Sequence, residues 1–276
     1  MLNLWEGCGA ARTGNISLER LKPHMTADAL ARTYARCPGA KSVLCAAFPY
    51  RADEHEGNLS RYARGADYHV AVRRRLSIAA QRLRAAHPET GCAILVDDSP
   101  LPEVLACALA GVGLVGTNGL LIVPPYGSYV FLGTLLTDLT LPETGPAVLT
   151  RCADCGACVR ACPAGAVSSG GVPGVDGTRC LSALTQKSGP LSPEEEELIR
   201  RHPFIWGCDI CQEVCPYNAG AALTPLAEFR EERIFRLDEE TLEGLSRRAF
   251  MKKYPDRAFT WRGPAPLLRN LRIKHE

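Results

Sequence analysis

The clearest hydrophobic pattern lies between residues 67 and 84. There Val72, Leu76, Ala79 and Leu83 recur at helical spacing, while Arg73, Arg74, Arg75, Arg82 and Arg84 occupy the remaining faces. This predicts an amphipathic helix. The apolar runs at 41–48 (KSVLCAAF) and 92–97 (CAILVD) each end at turn residues and predict buried strands. After the Pro100 turn, residues 101–110 predict an Ala-rich helix. Residues 119–123 and 128–132 predict strands on either side of the turn Pro124-Pro125-Tyr126-Gly127. Residues 1–146 therefore predict an α/β or α+β domain with a substantial apolar core.

Proline and glycine punctuate residues 141–146 (LPETGP), and cysteine density changes immediately afterwards, which predicts a linker there. A second domain is expected over 147–225 and a C-terminal extension over 226–276. Ser192-Pro193 followed by four glutamates has the form of a capped helix start, with anionic residues at the positive end of the helix dipole. The apolar stretch 104–123 is broken by Gly111, Gly113, Gly116, Thr117, Asn118 and Gly119, so it predicts a helix, turn and strand and no membrane span. The opening residues lack the apolar stretch of a secretory signal, and a cytoplasmic protein is expected.

Composition narrows the picture at one point. At 46% hydrophobic and 22% charged residues with net charge +2, the chain excludes a coiled coil or a low-complexity protein. It also carries 13 cysteines in 276 residues, too long a chain to need disulfide stapling. In a reducing compartment, clustered cysteines point to metal or redox chemistry. Eight of them lie between 152 and 215.

Cys152, Cys155, Cys158 and Cys162-Pro163 read C-x2-C-x2-C-x3-C-P, the spacing of a [4Fe–4S] site whose fourth cysteine serves a second cluster. Cys208, Cys211 and Cys215-Pro216 form a second run one ligand short, and Cys180 completes the count. The expected assignment is crossed: Cys152, Cys155, Cys158 and Cys215 hold one cluster, and Cys162, Cys180, Cys208 and Cys211 hold the other. Zinc in tetrahedral four-sulfur sites is the competing reading, less compatible with the repeated Cys-Pro. Isolated Cys8, Cys37, Cys45, Cys92 and Cys107 are expected as small core hydrophobes. A bare electron carrier needs only the residues around the motifs, so the long preceding domain implies something bound there that receives electrons. An electron carrier docking to a partner stays open as the alternative.

Several segments resemble the epoxyqueuosine reductase family, cobalamin- and iron–sulfur-dependent enzymes similar in architecture to reductive dehalogenases. They are 61–69 (RYARGADYH), 96–100 (VDDSP), 110–116 (AGVGLVG), 127–133 (GSYVFLG), Thr137-Asp138, 207–212 (GCDICQ) and 215–218 (CPYN). Cys180, in Arg179-Cys180-Leu181-Ser182, also falls where the family places a cluster ligand.

The resemblance implies an α+β chain: a nitroreductase-like α/β N-terminal domain and a ferredoxin-like domain with two [4Fe–4S] clusters. It implies reduction of epoxyqueuosine to queuosine in tRNA, with the anticodon loop as partner and an external low-potential electron donor. Asp97 matches the family's catalytic acid, and a raised carboxyl pKa would suit that role. The simpler reading of Asp97 and Asp98 is a turn before Pro100. Asp97, Thr117, Leu121, Ser128, Leu132 and Ser182 match corrinoid-contacting segments.

Departures from the family are local. Gly113-Leu114-Val115-Gly116-Thr117 replaces Gly-Trp-x-Gly-Lys and Thr134 replaces a glutamate, and the helical-repeat extension of longer members is not expected. These changes admit a related reductase acting on another small substrate. Residues 246–276 carry 9 Lys/Arg against 2 Asp/Glu. With Tyr254, Phe259 and Trp261, this basic segment is expected either to track RNA phosphates and stack on bases or to pack back on the acidic remainder.

Overall fold

A computed structural model of the chain describes residues 4–52, 55–168 and 173–275. Its strands are β1 (Arg12–Ser17), β2 (Ser42–Pro49), β3 (Cys92–Leu95), β4 (Leu114–Val115), β5 (Leu121–Ile122) and β6 (Val130–Thr137). The helices of the first half are α1 (Leu18–Leu21), α2 (Ala27–Arg36), α3 (Tyr68–Ala86) and α4 (Glu103–Leu109). The cysteine-rich region adds α5 (Ala157–Ala161), α6 (Leu181–Gln186), α7 (Pro193–Arg200) and α8 (Ile210–Glu213). The C-terminal part adds α9 (Ala227–Arg230), α10 (Glu239–Leu242), α11 (Arg247–Lys253) and α12 (Ala265–His275).

The main sheet runs β1-β2-β6-β3 with every pairing antiparallel, which makes the chain α+β. All eight residues of β2 are buried, because helices cover both faces. Successive side chains of a strand point to opposite faces, and the two cores follow from that. Val43, Cys45 and Ala47 join Ala106, Cys107 and Val112 on the α4 side. Leu44, Ala46 and Phe48 join Val72, Leu76 and Ala79 of α3. Cys8, Cys37, Cys45 and Cys107 are each no more than 2% exposed, as core hydrophobes should be, and Cys92 packs against the α3 core.

A third core unites distant segments. Leu59 and Ala63 pack with Trp206, Phe250, Phe259 and Leu267, so residues 226–276 are not an appendage. Asn270 donates to the carbonyls of Thr185 and Ile205, both at 2.8 Å. Arg269 reaches the carbonyls of Lys187 and Gly189, and Arg272 pairs with Glu239 and Glu243. Of the two readings of the basic segment, packing back accounts for these side chains. Tyr254 and Phe259 are buried and unable to stack on bases, because the third core needs their apolar area. Trp261 stays half exposed under the Arg262 guanidinium, and Arg248 and Lys252 of α11 are exposed. Ser192 and Glu195 form the expected capping box of α7. Among the described residues no helix is long and apolar enough to cross a membrane.

Candidate active site

The 92–97 segment does not stay extended to its end. β3 stops at Leu95, and Asp97 turns with a φ of 60°, a left-handed conformation uncommon outside glycine. The turn swings the Asp97 carboxylate toward the start of α3. Tyr68 donates to Asp97 Oδ2 at 2.7 Å, and His69 Nε2 lies 3.0 Å from the same oxygen. His69 Nδ1 lies 2.7 Å from Asp67 Oδ1, whose carboxylate also caps α3. The Tyr68 ring is stacked on Phe131 of β6 at 4.5 Å, which fixes its direction.

Charge in this array runs opposite to the expectation for Asp97. The hydrogen bond from His69 holds the Asp97 carboxyl below its usual range, and bonds to Asp67 and Asp97 push His69 up to about 9. Two carboxylates flank one imidazole, so the shared proton resides on the ring. This corrects the raised pKa expected of Asp97: at neutral pH the array carries its proton as imidazolium.

His69 has a folded pKa above its unfolded value, so its contribution to stability is complete below about 6.5 and is lost as pH rises through about 9. The unfolding free-energy difference between the wild type and His69→Gln, measured anaerobically across this range, is expected to shrink above pH 9. A difference that stays constant to pH 10 would contradict the assignment.

Asp97 and Tyr68 line a cavity of about 410 Å³. Ser128, Leu132 and Ser182, three of the expected corrinoid contacts, are on its wall, and so are Cys180, Cys208 and Cys211. Leu121 is not: it is 2% exposed in the α4-side core, paired across the short β4–β5 ladder where strand packing claims it. Thr117 is not either. Its hydroxyl lies 3.3 Å from Cys152 Sγ and donates to Asp154 at 2.7 Å, while its backbone N–H donates to Cys152 Sγ at 3.4 Å.

The thiols lie near one another, four of them around one cavity. Cys152, Cys155, Cys158 and Cys215 line one small enclosed cavity together with Thr117 and Tyr217. Cys208 interacts electrostatically with Cys211 and Cys180, and Cys211 with Cys180, Cys158 and Cys162. Gly156, at a φ of 71°, lets the first run curl without a Cβ penalty. At Gly207, with a φ of 73°, a Cβ would sit 2.4 Å from Ser60 Cβ, so glycine lets the chain approach the 60–62 segment just before Cys208. Burial pushes the free thiols of Cys208 and Cys211 up to about 12 and about 11. Buried thiols so reluctant to ionise suit metal ions that supply the compensating positive charge. Backbone N–H donors to sulfur, from Thr117 to Cys152 and from Ala166 to Cys162 at 3.2 Å, are groups that tune cluster potentials.

Polar side chains not singled out in the sequence hold the two halves together. Buried Asp209, between Cys208 and Cys211, accepts from the Ser60 hydroxyl and from Arg61 N–H at 2.8 Å. Gln212 donates to Ser128 Oγ at 3.1 Å, and Asn218 donates to the same oxygen at 3.0 Å and accepts from Ser128 N–H at 2.7 Å. The cysteine loops are thereby locked to Ser128, in the turn that leads into β6. Aspartate between the two cysteines and Asn218 after Cys215-Pro216 are visible in the sequence, but their partners come from residues some 90 to 150 positions away.

Residues 151–218 match the family described as a 4Fe-4S double cluster binding domain. Together with the α+β fold, this defines an iron–sulfur oxidoreductase of the double-cluster class. Residues 31–98 match the family described as "Epoxyqueuosine reductase QueG, DUF1730". An epoxyqueuosine reductase of Lactococcus garvieae is 34% identical over 268 residues, covering 92% of this chain and 71% of that protein. The chain belongs to the epoxyqueuosine reductase family. Its fold is similar to that of the Streptococcus thermophilus epoxyqueuosine reductase, with a TM-score of 0.81 and 26% identity over 97% of this chain and 77% of the other. An epoxyqueuosine reductase bound to an epoxyqueuosine-modified tRNA-Tyr stem loop matches with a TM-score of 0.80 and 26% identity, over 98% of this chain and 78% of that one. The chain spans 55% to 63% of the length of several other curated relatives.

Proposed function

We propose that this protein is a cytoplasmic, cobalamin-dependent reductase that converts epoxyqueuosine to queuosine in tRNA. The observation that carries the reading is a single cavity whose wall holds Asp97 and Tyr68 together with Cys180, Cys208 and Cys211. Electrons entering from an external low-potential donor would cross from Cys152, Cys155, Cys158 and Cys215 to Cys162, Cys180, Cys208 and Cys211, and reach the cavity from the second set. Cobalamin would lie against Ser128, Leu132 and Ser182, and supplies, when bound, a strongly reducing centre for oxygen removal. The cavity adjoins an apolar lobe of about 610 Å³ and shares with it Glu103, Val104, Asn118, Leu120 and Val175. Large, mostly apolar clefts with a few polar groups suit a bulky cofactor.

The chain's own residues handle the proton. Deoxygenation of an epoxide releases water and consumes protons as well as electrons. Asp97 Oδ2, held by Tyr68 and His69, faces the cavity with the imidazolium proton one hydrogen bond away. Two departures from the family do not touch this wall: Thr117 sits against Cys152, and Thr134 is fully buried within β6. Their placement favours the family's substrate over a different small molecule. Exposed Trp261, Arg248, Lys252 and Arg262 support an RNA-facing surface.

Titrating cobalamin into the anaerobically reconstituted chain tests the reading. Tight binding that alters the cobalt spectrum, and queuosine formation that requires it, are expected. Full cluster content without corrinoid binding would reduce the protein to an electron carrier.

A further inference from the structure

Removing an epoxide oxygen breaks two C–O bonds, forms a C=C bond and releases one water, so it takes two electrons and two protons. The Asp97–His69 array accounts for one proton. Glu103 occupies the first position of α4 at the junction of the two lobes and lines both. Its Oε1 is buried without a hydrogen-bond partner. The backbone N–H of Asp97 and the Ser99 hydroxyl lie close enough to favour the charged form, but less than burial disfavours it.

Resting on the proposed reaction, we infer that Glu103 is a second acid of this cavity, donating the proton that turns the opened epoxide's oxygen into leaving water. An unpartnered buried carboxylate oxygen is costly, whereas a carboxylic acid there carries no charge and has a proton to give. The groups around it do not reverse this. Asp97 adds negative charge from the β3–α4 loop, Cys107 lies one turn along α4 with Cys45 behind it, and His24 and Arg151 line the larger lobe. Burial, and then the charge of Asp97, push Glu103 up to about 7.

In the balanced reaction, two electrons arrive from the external donor through the clusters. The first C–O bond opens and its oxygen takes a proton from the Asp97–His69 array. As the second C–O bond breaks and the C=C bond forms, Glu103 gives the second proton and water leaves. The larger lobe offers the route by which the carboxylate regains a proton.

The test pairs spectroscopy with kinetics on the cluster-loaded full chain. Infrared difference spectra across pH are expected to show a carboxylic-acid band titrating near pH 7, absent in Glu103→Gln and moved to lower pH in Asp97→Asn. Glu103→Gln keeps the size and a carbonyl acceptor but holds no acid proton. It is expected to lower kcat by about 100-fold with little change in KM, and to abolish the fall in rate above pH 7 that Glu103→Asp retains. A Glu103 ionised down to pH 5, or a Glu103→Gln variant with wild-type kcat and pH profile, overturns the inference. A wild type inactive on epoxyqueuosine with the infrared band present overturns the substrate reading, and with it the destination of this proton. An active wild type matched by Glu103→Gln overturns Glu103 alone.

Discussion

Asp97→Asn is expected to lower epoxyqueuosine turnover by about 10²–10⁴-fold, the usual range for losing a positioned general acid, while iron content and corrinoid binding stay at wild-type levels. The substitution preserves size and an acceptor for Tyr68, so the geometry around β3 survives. What disappears is the negative charge that, with Asp67, keeps His69 protonated. The imidazole then titrates closer to its ordinary value, and the cavity loses its nearest proton at neutral pH. Steady-state kinetics on an epoxyqueuosine-containing stem loop, with iron and sulfide quantified on the same samples, checks this. Undiminished turnover would remove Asp97 from the mechanism and leave it as the turn before Pro100.

Cys215→Ala is expected to halve the iron, from about eight atoms per chain to about four, since each cubane holds four. The informative point is which site empties. Cys215 follows Cys208 and Cys211 in the chain but shares its cavity with Cys152, Cys155 and Cys158. The crossed assignment therefore requires that Cys215→Ala deplete the cluster of the first run, with Cys180→Ala depleting the other. Turnover should be lost in both, because electrons need both stations. EPR of the single-site variants distinguishes the two clusters. A Cys215→Ala protein that keeps the first-run cluster and loses the second would uncross the ligands.

Much of this architecture could be read from sequence because its signals are local. The arginine-lined periodicity of α3, the apolar run of β2 and the Ser192 capping box each depend on residues a few positions apart. β1 escaped because its sequence, RTGNIS, offers one large apolar residue, Ile16; it is a strand because it pairs with β2 at the sheet edge. α2 (ADALARTYAR) offers one large aliphatic residue, Leu30, and buries only Thr33, so no stripe of large apolar side chains marks it; its Thr26 cap starts it.

The site was legible where spacing encodes chemistry, as in the cysteine runs, and not where tertiary contact does. Asp97 could be placed by its motif, but its ionisation depends on His69, 28 residues earlier in the chain, and this reversed the expected direction. Leu121 and Thr117 lie in motif positions near the corrinoid segments, yet one serves the core and the other Cys152. Side-chain direction within a short turn-rich stretch depends on its packing, which a linear pattern does not carry.

Single-turnover conversion of an epoxyqueuosine-modified tRNA stem loop is the decisive assay of the proposed reduction. The reconstituted chain, with both clusters, cobalamin and a low-potential reductant, is expected to yield queuosine, detected by nucleoside mass spectrometry as loss of one oxygen, and none when cobalamin is left out. Intact epoxyqueuosine after incubation with fully loaded, reduced protein would contradict the account.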